Sequence, residues 1–207
     1  MNNVLLTPSL PQYWESLYRE DAWNLGKATP ALLEFFESPL CPKSGDVLVP
    51  AAGRGFDAEA WAKRGHNVLA VDFCPSAVDA LEILSNKNDN LTVLNLDLFS
   101  LSSHDEKRAG KKFDIIYDHC AFNCVHLGRR DEYIEVWLRM LKDDGLIIGF
   151  FYPLCNKNSE SLLNSVTESE LVARFDGLIK IEEKIVPKKS VRERAGKEEI
   201  WLLRKIL

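Results

Sequence analysis

The chain has 207 residues, 46% of them hydrophobic and 28% charged, which suffices for one sizeable core and at most a small appendage. Aromatic and aliphatic residues run through its whole length, so collagen-like, mucin-like and disordered readings are excluded. The formal net charge of -5 argues against a protein that coats nucleic acid or anionic membrane, although residues 180–207 hold nine Lys/Arg against five Asp/Glu.

The N-terminus has no basic residue before Arg19 and no apolar core, so no secretory signal is expected and the setting is expected to be cytoplasmic. Asp46-Val-Leu-Val-Pro50 reads as a buried strand. Phe56 to Arg64 follows as a helix, with Ala58, Trp61 and Ala62 on one face and Gly65 closing it. A second strand spans Asn67 to Val71, and a helix from Pro75 to about Ser85 carries its proline in the first turn, where the missing N–H costs no hydrogen bond. Leu91 to Leu96 alternates as a third strand. The polar insert Ser100 to Lys112 precedes the strand Phe113-Asp-Ile-Ile-Tyr117, the helix Asp131 to Leu141 and the strand Gly145 to Tyr152. The longest apolar run, the ten residues from Gly145 to Leu154, is far short of the roughly 18 needed to span a membrane. Thr167 to Phe175 opens on a Thr-x-x-Glu capping box. The strands Leu178 to Val186 and Glu198 to Lys205 then pair as an antiparallel hairpin across a polar loop. Five cysteines, Cys41, Cys74, Cys120, Cys124 and Cys155, form no CxxC pair and read as reduced thiols, with no metal site.

This order predicts an α/β fold: seven strands, mostly parallel, with helices on both faces and a C-terminal antiparallel hairpin. Its ligands bind at the carboxyl ends of the strands near the switch in strand order. Gly53 and Gly55, just after the first strand, permit a tight turn and close backbone approach to a ligand. Nineteen residues past Gly53, Asp72 ends the second strand, where it can accept hydrogen bonds from ribose hydroxyls. Gly53-x-Gly55-x-x-Ala58 also fits a dinucleotide site, but a carboxylate at Asp57 would repel pyrophosphate, whereas it tolerates an ammonium group. That favours S-adenosylmethionine, with S-adenosylhomocysteine as product; the alternative for Asp57 is a helix-capping acid. Asp97 is placed to meet the adenine edge, with Phe73 and Leu98 on either side of the ring. Asp118 ends the fourth strand beside the methyl-transfer region, and its alternative is a structural acid satisfied by backbone amides.

The residues Trp14, Trp23-Asn-Leu-Gly-Lys-Ala-Thr-Pro30, Val49-Pro-Ala-Ala-Gly-Arg-Gly-Phe-Asp57, Val71-Asp72, Asp97-Leu-Phe99, Phe113 to Asp118 and Phe151-Tyr-Pro153 resemble the thiopurine S-methyltransferase family. The halide and thiol methyltransferase branch is the most similar. The resemblance implies a single Rossmann-like class I methyltransferase domain over residues 1–207, with an N-terminal lid and helix over 1–40 and a core over 41–207. It implies Trp14 and Trp23 in the lid and cofactor pocket, Gly53 and Asp57 at the methionine end, Asp72 and Phe73 at the ribose, and Asp97 with Leu98 at the adenine. Asp118 and Phe122 would line the sulfonium side and Tyr152 the acceptor pocket. Where the family's turn usually reads Gly-Cys-Gly, this chain has Ala51-Ala52-Gly53. With a Cβ at 51 the turn is expected at negative φ there, or with weakened cofactor affinity. The segment Cys120 to Arg130 does not match residue for residue.

Methyl transfer from a sulfonium is an in-line displacement, so the enzyme's task is alignment, removal of water and ionisation of a thiol whose pKa is about 8.5. Asp118, His119 and His126 are the titratable candidates for a base, while a halide or hydrosulfide needs none. Arg129 and Arg130 open the following helix and read as a surface pair, with attraction of an anionic acceptor as the alternative. Two rival readings stand beside the small-molecule methyltransferase. One is an NAD(P)-dependent oxidoreductase. The other is an RNA or protein methyltransferase gripping a polymer with Lys188, Lys189, Arg192, Arg194 and Lys197, a loop with no aromatic residue for stacking. A scaffold that binds the cofactor without turnover is compatible with Ala51. A monomer is expected, since no apolar stripe is left over once the sheet is covered.

Overall fold

The computed structural model describes residues 10–20, 24–102, 110–152 and 165–206. Strands β1 (Asp46–Pro50), β2 (Asn67–Asp72), β3 (Leu91–Asn95), β4 (Phe113–His119) and β5 (Leu141–Phe151) are mutually parallel, while β6 (Ile179–Ile185) and β7 (Glu199–Lys205) form an antiparallel pair. They make one sheet in the order β3-β2-β1-β4-β5-β7-β6, with β7 antiparallel to β5. The order reverses between β1 and β4, so the crevice at the carboxyl ends of those two strands is where a ligand finds room. The expected seven-stranded sheet with its terminal hairpin is present.

Among the described residues seven α-helices surround the sheet: α1 (Pro11–Glu20), α2 (Pro30–Phe35), α3 (Phe56–Lys63), α4 (Pro75–Ser85), α5 (Ala121–Cys124), α6 (Arg130–Met140) and α7 (Glu168–Phe175). Alternation along the strands splits the core in two. Leu48, Ile116, Ile147 and Trp201 face Tyr133 and Trp137 of α6 and Leu171 and Phe175 of α7. Val47, Val49, Ile115 and Ile148 face Leu32 and Phe35 of α2 and Trp61 of α3 on the other side. α6 runs straight into β5, which starts at Leu141 rather than Gly145 because Leu141 already pairs with Phe113 ahead of a register shift.

Two local devices fix elements near the crevice. Thr167 caps α7 by accepting from the Glu170 amide at 3.1 Å, but the Glu170 carboxylate does not close a reciprocal box; it pairs with the fully buried Arg130 and with Arg174, tying α6 to α7. Arg130 is therefore structural, not an anion-attracting residue. At the N-terminus of α4 the Glu15 carboxylate accepts from the Ser76 amide at 3.1 Å, from Ser76 Oγ and from Cys74 Sγ at 3.0 Å, which moors α1 over the carboxyl ends of the strands. Burial, and then Glu15, push the Cys74 thiol up to about 12, so it stays a donor. Cys41, Cys74, Cys120 and Cys124 are free thiols; Cys155 lies outside the described residues. Among the described residues no helix is long and apolar enough to cross a membrane.

Candidate active site

After β1 the chain turns over Ala51 to Gly55. Gly53 has φ +59° and Gly55 φ +84°, values that favour glycine. A Cβ on Gly55 would lie 2.3 Å from Leu81 Cδ2, so this glycine lets α3 begin against α4. Ala51 corrects the expectation of negative φ: it sits at +47°, in the left-handed region, at a cost of about 1–2 kcal/mol for a residue with a Cβ. Asp72 braces the turn. Its Oδ2 accepts from the Gly53 amide at 2.9 Å and its Oδ1 from the Cys74 amide at 2.9 Å. Burial pushes the Asp72 carboxyl up, and the amides of Cys74, Gly53 and Phe73 pull it only part of the way back. The three amides leave one of its four lone pairs for a ligand.

Beyond this turn lies a cavity of about 460 Å³ at the ends of β2, β3 and β4. Asp72 and Asp97 line it with Phe73, Leu98 and Val71, and Trp14 and Tyr18 reach it from α1. Asp97 is fixed by accepting from the Phe99 amide at 3.0 Å. Cys120, Cys124, His126 and Arg129 line the wall that follows β4. Arg129 stacks 3.5 Å over the Phe99 ring and pairs with Glu132, and His126 accepts from the Gly128 amide through Nδ1. Cys120 is a second non-glycine residue at positive φ, +61°.

A smaller cavity of about 190 Å³ lies on the other side of the turn, lined by Lys27, Thr29, Gly53, Arg54 and Asp57 among others. It shares Tyr18, Ala51, His119 and Arg194 with the first, so these four residues stand at the junction. Asp57 is the hub behind them. It accepts from the Thr29 amide at 2.7 Å, Thr29 Oγ1 at 3.0 Å, Tyr117 Oη at 2.8 Å and His119 Nδ1 at 2.8 Å. Burial would raise its pKa, but His119, Thr29 and Tyr117 outweigh that and hold the carboxyl below its ordinary value.

On the far side of the same imidazole, Nη1 of Arg194 lies 2.6 Å from Nε2. A guanidinium can only donate, so this contact requires a lone pair on Nε2 and places the ring proton on Nδ1, facing Asp57. Burial lowers the proton affinity of His119, while Cys120 and Asp57 push the pKa up to about 10. The Arg194 contact thus disfavours the imidazolium that Cys120 and Asp57 favour.

The thiopurine S-methyltransferase family model matches residues 10–205, nearly the whole chain. The chain belongs to the thiopurine S-methyltransferase family. A probable thiol methyltransferase 2 from Arabidopsis thaliana is 31% identical over 145 residues, 68% of this chain and 62% of that protein. Thiocyanate methyltransferase 1 from Brassica oleracea is 28% identical over 201 residues, covering 93% of this chain and 84% of that one. Among solved structures, a Burkholderia thailandensis 1,6-didemethyltoxoflavin N1-methyltransferase with bound S-adenosylhomocysteine superposes with a TM-score of 0.72 at 18% identity, covering 99% of this chain and 92% of that one.

A member of the thiopurine S-methyltransferase family uses S-adenosylmethionine, and the residues here fit that cofactor. The larger cavity has apolar walls with one carboxylate at the end of β2 and one after β3, and it meets the smaller, polar one at the glycine turn. The oxidoreductase reading falls with this assignment.

Of the residues expected at the site, Trp14, Gly53, Gly55, Asp57, Asp72, Phe73, Asp97, Leu98, His119 and His126 line one cavity or the other. Asp118 does not. It is fully buried, accepting from Tyr133 Oη at 2.6 Å and the Phe122 amide at 3.2 Å, and burial pushes it up to about 6. It is the structural acid that was its alternative. Phe122 is likewise in the core, among Tyr133, Trp137 and Phe151. Tyr152 lines neither cavity; its hydroxyl donates to the Glu193 carbonyl at 3.1 Å and its ring lies under Arg194, so it acts behind that residue. Trp23 lies outside the described residues.

Four residues of the site went unassigned in the sequence: Tyr18, Thr29, Tyr117 and Cys120. Thr29 and Tyr117 lay within the family-like segments Trp23 to Pro30 and Phe113 to Asp118, while Tyr18 and Cys120 carried no signal. Arg194, taken as one of a row of polymer-gripping basics, turns inward to His119, and the amides of Lys188 and Lys189 bind Glu34.

Proposed function

We propose that the chain moves a methyl group from S-adenosylmethionine to a small, soft sulfur nucleophile that is anionic or readily ionised, held at the cavity junction that His119 and Arg194 line. When bound, the cofactor supplies an electrophilic methyl group on a sulfonium. Asp72 would take the ribose hydroxyls, Phe73, Asp97 and Leu98 the adenine, and the turn from Gly53 to Gly55 the methionine end. Asp57 serves that end indirectly, since its oxygens already hold Thr29, Tyr117 and His119. Helix α1 would act as a lid, with Trp14 over the cofactor. We take the protein to work as a cytoplasmic monomer.

The single observation that carries the acceptor assignment is the Arg194 guanidinium, its side chain 16% exposed, at the meeting point of both cavities. A cation there attracts an anion, and a mostly apolar wall strips a soft nucleophile of water. The relatives named for thiols and thiocyanate make those acceptors the first to try.

The test is calorimetric titration with S-adenosylhomocysteine and, separately, NADH, followed by a screen of thiols, hydrosulfide, thiocyanate, iodide and thiopurines. Binding of S-adenosylhomocysteine alone, with turnover of at least one of these acceptors, is expected. Binding without turnover of any of them would sink the acceptor reading and favour the scaffold.

A further inference from the structure

Glu198 has no part in the reading above, and its carboxylate is buried beside the site. Its side chain is 1% exposed, and its Oε1 accepts from Ser190 Oγ at 2.5 Å, while its Oε2 has no hydrogen-bond donor. Among the described residues the only cation paired with it is Arg194, whose Nη1 is 3.9 Å from that Oε2, too far for a hydrogen bond. The same Nη1 is 2.6 Å from His119 Nε2. One guanidinium nitrogen thus stands between two acceptors, a lone pair it occupies and a buried carboxylate oxygen it nearly reaches. A displacement of about 1 Å exchanges one hydrogen bond for the other.

We propose that Arg194 is a movable plug on a general base: seated on His119 it blocks Nε2, and drawn across to Glu198 it frees Nε2 to take the proton of a neutral thiol, with Glu198 as the positioning residue. The proposal rests on the methyl-transfer reading for its substrate. The proton balance is simple. The thiol S–H proton moves to Nε2, the imidazolium is held by Asp57 through Nδ1, and the sulfur keeps both electrons as a thiolate beside the displaced guanidinium. The ring afterwards returns its proton to solvent and Arg194 reseats. An acceptor already anionic needs only the cation, so one site serves both kinds of nucleophile.

The groups that set the proton affinity of His119 come from each element around it: Asp57 from α3, Tyr117 and Asp118 from β4, Cys120 beside it, and Arg194 and Glu198 from the segment leading into β7. Only the last two form the plug. A seated cation disfavours imidazolium, so removing Arg194 raises the pKa of the ring, and removing the charge that draws Arg194 away lowers it.

The experiment follows the ring nitrogens of His119 by NMR across pH in the full-length wild type, R194Q and E198Q. The expected order of His119 pKa is R194Q above wild type above E198Q, with steps of about one pH unit. Coincident titrations in all three would overturn the plug, whatever the activity. Turnover supplies the second readout, as the ratio of kcat/KM for a neutral aliphatic thiol to that for thiocyanate, which carries no proton to remove. H119Q should lower this ratio about 100-fold and E198Q about 10-fold, with partial recovery in E198D. An equal fall on both acceptors would make the triad structural and refute the base. A wild type that methylates neither acceptor defeats the acceptor reading and the base with it, while the ring titration still decides the plug.

Discussion

The turn after β1 and the turn after β4 are built alike and do different work. Each places a non-glycine residue at positive φ directly after its strand, Ala51 at +47° and Cys120 at +61°, and each is braced by a buried aspartate that accepts from backbone amides. In the first, Asp72 keeps an edge on the cavity. In the second, Asp118 is turned into the core and spends its other oxygen on Tyr133. The difference teaches that a carboxylate at the end of a strand is functional or structural according to the face its strand position gives it. Tyr117 and His119 share one face of β4 and meet Asp57, while Asp118 between them points to the other.

The sharpest way to break this comparison is to remove both acids. Asp72→Ala, or Asp72→Asn where the alanine variant folds poorly, should weaken S-adenosylhomocysteine binding at least about 100-fold, near 3 kcal/mol, as the turn loses its brace and the ribose its acceptor. Asp118→Ala should instead cost about 3 kcal/mol of folding stability, because Tyr133 Oη and the Phe122 amide lose their partner in a dry core. Affinity in the folded fraction should stay within a few-fold. Calorimetry and urea unfolding on the same samples decide it, and a loss of affinity in the Asp118 variant at unchanged stability would erase the distinction.

A pH series separates Asp118 from Asp57 more finely. The folded pKa of Asp118, about 6, lies above the unfolded value of about 3.9. Between those values the native state holds a proton that the unfolded state has released. Stability from this group therefore falls as pH rises through the window, by about 3 kcal/mol in total. Asp57 has the opposite sign: its folded pKa is depressed, so its contribution is present above the unfolded value and is lost as pH falls through the folded one. Urea midpoints at pH 4 and pH 7 should show Asp118→Asn gaining on the wild type as pH rises. Parallel behaviour of the two proteins would mean that Asp118 is not shifted.

Much of this was legible beforehand, for identifiable reasons. The strands were apolar runs bounded by turn residues, α4 began on a proline, and Gly53, Asp72 and Asp97 sat at spacings that geometry demands of a nucleoside site. What escaped was side-chain direction and long-range contact. Alternation along β4 sets the face of Asp118, but no periodicity told that Tyr133 would reach it there from α6. Arg194 lies 75 residues from His119 along the chain, on a loop that reads as solvated. Only the docking of β7 between β5 and β6 carries it to the junction. The positive φ at Ala51 was missed because a rule of preference was applied where Asp72 and the following glycines dictate the turn.

That turn yields the smallest effect and the last test of the likeness between the two sites. Ala51→Gly removes the Cβ from a left-handed residue and should stabilise the protein by about 1 kcal/mol after the entropy that glycine adds to the unfolded chain, raising Tm by about 2–4 °C. Cys120→Gly relieves the same kind of strain but deletes a side chain that is 7% exposed, so lost burial offsets the gain and its Tm should barely move. Differential scanning calorimetry of the two variants measures the contrast. A fall in Tm for Ala51→Gly would mean that its methyl group contributes more against the junction residues than the backbone loses. The strain at Ala51 would then be a consequence of packing that the cofactor turn requires.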